Sequence, residues 1–253
     1  MTNLRFFLMQ APDPTRRFSE RAEAYGKHRP GYPPRAFDEL LAELGAASRL
    51  VAADVGAGTG ISTRLLAERV ARVIAVEPNA QMRERALPAE NVVWVEGTAE
   101  ATGLPDCSVD VAAAFQAFHW FDASVAFAEF ARIARRRIAV VQYERDETQA
   151  FSAAYARLIR PYLLDDTESR RIAAMERFSR LAGSRLRRSV VAWSQSLTLD
   201  GLLGRVDSTS YLPREGAAGE ALRIGVRQLF AEFARGGSIE MAMNVFVLAS
   251  DVA

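Results

Sequence analysis

Asp54, Gly56, Gly58 and Gly60 stand together in "VAADVGAGTGIS" (51–62), and Glu77 follows 23 residues after Asp54 in "RVIAVEP". Glycines at alternate positions leave a bare backbone that a ligand can approach closely. A dinucleotide fingerprint spaces them G-x-G-x-x-G, which admits a pyrophosphate to a helix N-terminus. Here the spacing is G-x-G-x-G, and the acid before it would repel phosphates. It suits an amine-bearing or cationic ligand. A carboxylate at 77 can accept both hydroxyls of a ribose. A ligand with a ribose and an ammonium but no phosphate fits the set, and S-adenosylmethionine is such a molecule. The plain alternative, a tight turn between strand and helix, leaves the two acids unexplained.

His119, in "QAFHWFD" (116–122), is the candidate catalytic residue. Its ordinary pKa of about 6.5 suits a general base, should the acceptor have to lose a proton. The alternative is that His119 and Trp120 shape the pocket floor. Arg29 and Arg145 could clamp an acidic acceptor, since guanidinium matches carboxylate bidentately. Tyr155, Tyr162, Trp193 and Tyr211 either roof an acceptor pocket or belong to the core. No metal is expected: one cysteine and two histidines, His28 and His119, offer no zinc spacing.

The elements that must position these residues alternate at short intervals. Strands are expected at 49–55, 72–78, 91–97, 109–116 and 137–145, with helices at 36–44, 61–70, 79–87 and 123–134 between them. This predicts an α/β fold with a doubly wound, mostly parallel sheet. Ligands on such sheets bind outside the carboxyl ends of the strands. The remainder reads as helices at 150–164 and 170–183, a strand at 189–199, a helix at 219–236 and a strand at 238–249. The helix at 170–183 is expected to bury Ile172, Met175, Phe178 and Leu181. Four regions follow: an N-terminal cofactor cover (1–35), a cofactor-binding core (36–146), a helical insertion after strand five that caps the substrate (147–188), and a completion of the sheet (189–253).

Composition narrows the partners. The 253 residues carry a net charge of +1 and 49% hydrophobic residues. Near-neutrality gives no electrostatic case for nucleic acid or for a membrane. A lone cysteine, Cys107, makes no intrachain disulfide and fits a reducing compartment. The apolar patch "LRFFLM" ends by Gln10, too early for a signal peptide or a span. A cytoplasmic protein acting on a small-molecule methyl acceptor is expected.

In "DVGAGTG", "VIAVEP", "GTAEATGLPDCSVD" and "QAFHWFD", taken in that order, the chain resembles the class I S-adenosylmethionine-dependent methyltransferases, and within them the trans-aconitate-type small-molecule group. The likeness covers 18–145 well and 189–249 loosely, and implies a Rossmann-like sheet of seven strands. It implies that Asp54, Gly56 and Gly58 line the methionine and ribose portions, and that Glu77 takes the ribose hydroxyls. Pro78 and Met82 would flank the adenine, and Thr98, Ala99 and Glu100 would border its edge. Gln116 and Ala117 would lie beside the methionine moiety, and Tyr25, Arg29 and Tyr32 would belong to the N-terminal cover. Methyl transfer to oxygen, a carboxylate included, is the leading expectation. The alternatives are a tRNA or protein methyltransferase, or a cofactor-binding protein without transferase activity. Two departures stand out. Thr98 replaces the aspartate that many relatives carry for the adenine amine, and "ARRRIAVV" lacks the Pro-Gly-Gly turn common before strand five.

Overall fold

The computed structural model describes residues 31–252. Tyr25, His28 and Arg29 lie outside them. Five strands, β1 (Val51–Val55), β2 (Arg72–Val76), β3 (Val92–Val95), β4 (Val109–Phe115) and β5 (Ala134–Arg145), pair in parallel. β6 (Leu186–Leu197) and β7 (Ile239–Asp251) complete a seven-stranded sheet of order β3-β2-β1-β4-β5-β7-β6. β7 runs antiparallel to both of its neighbours, so the sheet is mixed. The order reverses between β1 and β4, where a crevice must open at the strand ends.

The helices cover both faces because β1, β4 and β5 bury residues of either parity. Ala52, Val111, Ala113 and Val141 meet α1 (Pro34–Leu41), α2 (Ile61–Ala67) and α5 (Ala150–Ile159). The same core takes in α7 (Leu199–Ser208) and α8 (Gly216–Phe233). On the other face Ala53, Ala112, Ala114 and Val140 meet α4 (Ala123–Ile133) and α6 (Thr167–Ala182). A short helix, α3 (Ala80–Glu84), follows β2. The two helices between β5 and β6 therefore pack on opposite faces, and the chain joining them, 160–166, passes from one face to the other. Among the described residues no helix is long and apolar enough to cross a membrane.

Three expectations change. The strand predicted over 189–199 ends at Leu197, and α7 follows where no helix is expected. Thr198 caps it by accepting from the Gly201 amide at 3.2 Å; Gly201 and Gly204 had blurred its period. Strand five starts at Ala134, directly after α4, so no turn takes the place of the missing Pro-Gly-Gly. On α6 the buried face is Thr167, Arg171, Phe178 and Ala182, while Ile172 is 52% exposed. A buried arginine has displaced the apolar stripe.

Arg137 ties the end of α1 to the end of β7. It is 1% exposed, and its guanidinium donates to the carbonyls of Leu40 and Ala42, each at 2.8 Å, and to Asp251 at 2.6 Å. It thus satisfies carbonyls at the C-terminus of α1 that the helix cannot satisfy itself. Arg137→Met leaves those carbonyls without their donor and is expected to cost about 2–4 kcal/mol. A fall in the urea midpoint at unchanged slope checks this.

Candidate functional site

At the carboxyl ends of β1, β2 and β4 lies a cleft with a cavity of about 220 Å³. The glycine loop forms one wall. Gly56 has φ +74°, and a Cβ there would meet the Ala117 Cβ at 2.7 Å and the Phe121 ring at 2.9 Å. No other residue fits that position. The Gly58 amide turns to Glu77 and donates to its Oε2 at 2.9 Å, while the Asn79 amide donates to Oε1 at 2.9 Å. Glu77 is 8% exposed; burial raises its pKa, and the two amides oppose the rise. An ionised carboxylate accepts about four hydrogen bonds, so two sites stay available to a ligand.

The next side chains are positioned in turn. Asn79 caps α3 by accepting from the Met82 amide at 3.2 Å, which sets Met82 against the cleft. Thr98, Ala99 and Glu100 line the opposite edge. Their loop is pinned to α4 by Glu129, whose Oε1 accepts from the Thr102 amide at 2.8 Å and hydroxyl at 2.6 Å. Bonding to Arg132 holds the Glu129 carboxyl down at about 2. Glu100 accepts from the Asp122 amide at 2.8 Å, so this edge also grips the start of α4. Gln116, with φ +53°, ends β4 in the left-handed region, a strained conformation for a residue bearing a Cβ. Its side chain donates to the Tyr143 carbonyl at 3.0 Å.

Of the expected cofactor residues, Gly56, Gly58, Glu77, Pro78, Met82, Thr98, Ala99, Glu100, Gln116 and Ala117 all line this cleft. Sequence reasoning missed Asn79, Phe115 and Phe121. The helix-capping asparagine and the aromatics flanking "QAFHWFD" were the available signals. Two carboxylates, Glu77 and Glu100, line the cleft; among the described residues that line it there is no arginine or lysine, and Arg83, outside the lining, donates to the Glu77 carbonyl at 2.5 Å.

Asp54 and His119 do not line it. Asp54 is fully buried, and its Oδ2 accepts from the Ser62 and Thr63 hydroxyls, both at 2.7 Å. It thereby fastens the start of α2 to the end of β1. Burial pushes its carboxyl up to about 6, against those two hydroxyls and with a smaller push from Glu77. His119 lies on the short 3₁₀ turn Phe118–Trp120, its ring 4.9 Å from that of Trp120. Trp120 faces the cleft, and Arg170 of α6 stacks over its indole at 4.9 Å.

Residues 53–140 match the family model of a methyltransferase domain. An uncharacterized methyltransferase of Mycobacterium tuberculosis is 37% identical over 199 residues, 77% of this chain and 76% of its own. The solved structure of a protein described as a type II methyltransferase, from Anaeromyxobacter dehalogenans, has a TM-score of 0.70 and 27% identity, over 88% of this chain and 97% of its own. A structure from Anabaena variabilis, described as a methyltransferase from an antibiotic biosynthesis pathway, shares the fold. Its TM-score is 0.54, with 22% identity over 84% and 96% of the two chains. The chain belongs to the class I methyltransferases. It is an enzyme, and its methyl donor is S-adenosylmethionine.

Burial makes the folded protein hold the Asp54 proton more tightly than the unfolded chain does. The stability this contributes is fully present below about pH 4 and is lost as pH rises through about 6. Asp54→Asn keeps an acceptor for Ser62 and Thr63 without the charge. It is expected to stabilise the ligand-free protein at pH 7 by on the order of 2–3 kcal/mol, and not at pH 4. Urea unfolding at the two pH values checks this.

Proposed function

We propose that the cleft holds S-adenosylmethionine with Glu77 on the ribose hydroxyls, Pro78 and Met82 at the adenine, and Thr98 to Glu100 along its edge. The methyl passes to an oxygen of a small-molecule acceptor. The observation that carries this reading is the lining: Glu77, a carboxylate preset by two backbone amides, in a cleft whose described lining residues include no arginine or lysine. Among the described lining residues a dinucleotide's pyrophosphate finds no cationic partner, whereas a ribose finds Glu77. Gly56, Gly58, Gln116 and Ala117 flank the methionine portion. Asp54 acts through the Ser62–Thr63 start of α2, and Tyr25 and Arg29 belong to the cover formed by the N-terminal region. The segment 147–188 walls the acceptor side. The motif likeness to the trans-aconitate-type group supports this reading, with a cytoplasmic enzyme of small molecules.

Bound S-adenosylmethionine supplies a methyl carbon already activated by its sulfonium. The chain's own task is to align the acceptor oxygen opposite the departing sulfur and to exclude water. Alignment of that kind lowers a barrier by roughly 7–11 kcal/mol. When bound, the cofactor would give its methyl to that oxygen and keep the electron pair of the broken C–S bond on sulfur. A carboxylate acceptor loses no proton in this step, so it needs no base. His119, turned onto Trp120, supports the cleft wall as a positioning residue.

S-adenosylhomocysteine at a hundredfold excess over its Kd is expected to stabilise the protein by about 2.7 kcal/mol. That corresponds to roughly 5–10 °C in Tm. NAD and NADP are expected to leave Tm unchanged. Gly58→Val, whose Cβ approaches the Met82 methyl and which must hold φ +59°, is expected to fold and lose the shift. A shift with NAD alone would overturn the cofactor assignment.

His119→Ala separates wall from base. A wall role predicts weakened cofactor or acceptor binding, with the pH–rate profile keeping its shape. Turnover falling by about 10²–10⁴-fold with loss of one limb, at unchanged cofactor affinity, would make His119 the base.

A further inference from the structure

We propose that a second, small cavity at the carboxyl end of β5 takes a carboxylate group of the methyl acceptor, gripped by Arg145 and Arg171. The proposal rests on the small-molecule reading above and names the chemical class of the acceptor. The cavity lies among the end of β5, α5, α6 and the segment after α7, and holds about 20 Å³ of space. A space of that size admits only the end of a molecule, not a whole acceptor. It is a place for one end of a molecule whose body lies elsewhere.

Its wall is rich in donors. Arg145, Arg171 and Arg205 line it, with the hydroxyl-bearing Tyr143 and Tyr211, against a single lining carboxylate, Glu144. Arg171 bonds Glu144 at 2.9 Å, and Arg145 bonds Glu168. Those pairings leave the Nε atoms of both Arg145 and Arg171 buried with no hydrogen-bond partner among the described residues. A buried cationic donor without an acceptor is costly, and native structures rarely retain one without cause. A salt-bridge network serving only the core is replaceable by apolar packing, often at no loss. A ligand carboxylate supplies the missing acceptors in the planar arrangement that guanidinium prefers.

The location suits an acceptor. Tyr143 lines this cavity and also the space beneath the glycine loop, which it shares with Gly58 and Gln116. Gln116 in turn borders the cofactor cleft. An acid anchored on the arginines therefore extends toward the cofactor past Tyr143. On α6 the neighbouring Arg170 stacks on Trp120 of the cofactor cleft, so one helical turn touches both sites.

The test uses the full-length protein saturated with S-adenosylhomocysteine. The arginine Nε–H signals of positions 145 and 171 are assigned by NMR with Arg145→Lys and Arg171→Lys, which keep the charge and favour folding. Acetate and succinate are then titrated against acetamide and succinamide. Saturable shifts of both signals at millimolar carboxylate, absent with the amides, are expected. In calorimetry each Lys variant is expected to weaken succinate at least about tenfold, the worth of one charge-assisted bond, with S-adenosylhomocysteine affinity held within about twofold. Equal response to acids and amides, or succinate binding unchanged in both variants, would overturn the carboxylate site. The methyltransferase reading fails separately, if S-adenosylhomocysteine itself does not bind.

Discussion

Two carboxylates held out of water at the ends of adjacent strands constrain everything around the cleft. A buried carboxylate is costly unless hydrogen bonds meet it. Asp54 is met by the first two hydroxyls of α2, and Glu77 by the amides of Gly58 and Asn79. These bonds fix where α2 begins and how the glycine loop turns. They also place the start of α3, where Asn79 sets Met82. The loop conformation needs glycine because Ala117 and the Phe121 ring press against position 56. The geometry of the cleft is thus set by the fold's own hydrogen bonds and packing.

The elements after β5 serve the cleft indirectly. α5 joins the core on one face of the sheet and α6 the other, and their connection passes between the faces. Phe178 of α6 packs edge-on to Phe118 at 5.6 Å, just before His119 and Trp120. Arg170 adds its contact to the Trp120 indole. The wall of the cleft is therefore backed by a helix whose next residue, Arg171, lines the arginine cavity. A movement of α6 would be felt on both sides.

The order of strands and helices through β5 was legible because each strand is a short apolar run closed by a turn or cap, and each helix carries its own period. Ten of the thirteen expected cofactor residues line one cleft for the same reason: their motifs sit at strand ends, and parallel topology gathers strand ends together. Past β5 the signal weakened. Gly201 and Gly204 hid α7, and Arg171 on the buried face of α6 broke the apolar stripe.

What local sequence determined was the set of groups at the strand ends: a bare loop, an acid on either side of it, and a capping asparagine. Backbone conformation and residue type act over a few positions, so such features can be read in one dimension. Only the tertiary structure decided which acid lines the cleft. Asp54 and Glu77 look alike in the chain, yet the first is fully buried against two hydroxyls of α2 while the second lines the cleft. It also decided that β7 enters antiparallel between β5 and β6, and that Arg145 and Arg171 share a cavity. Those outcomes depend on long-range pairing and burial between segments far apart in sequence, which no local pattern encodes.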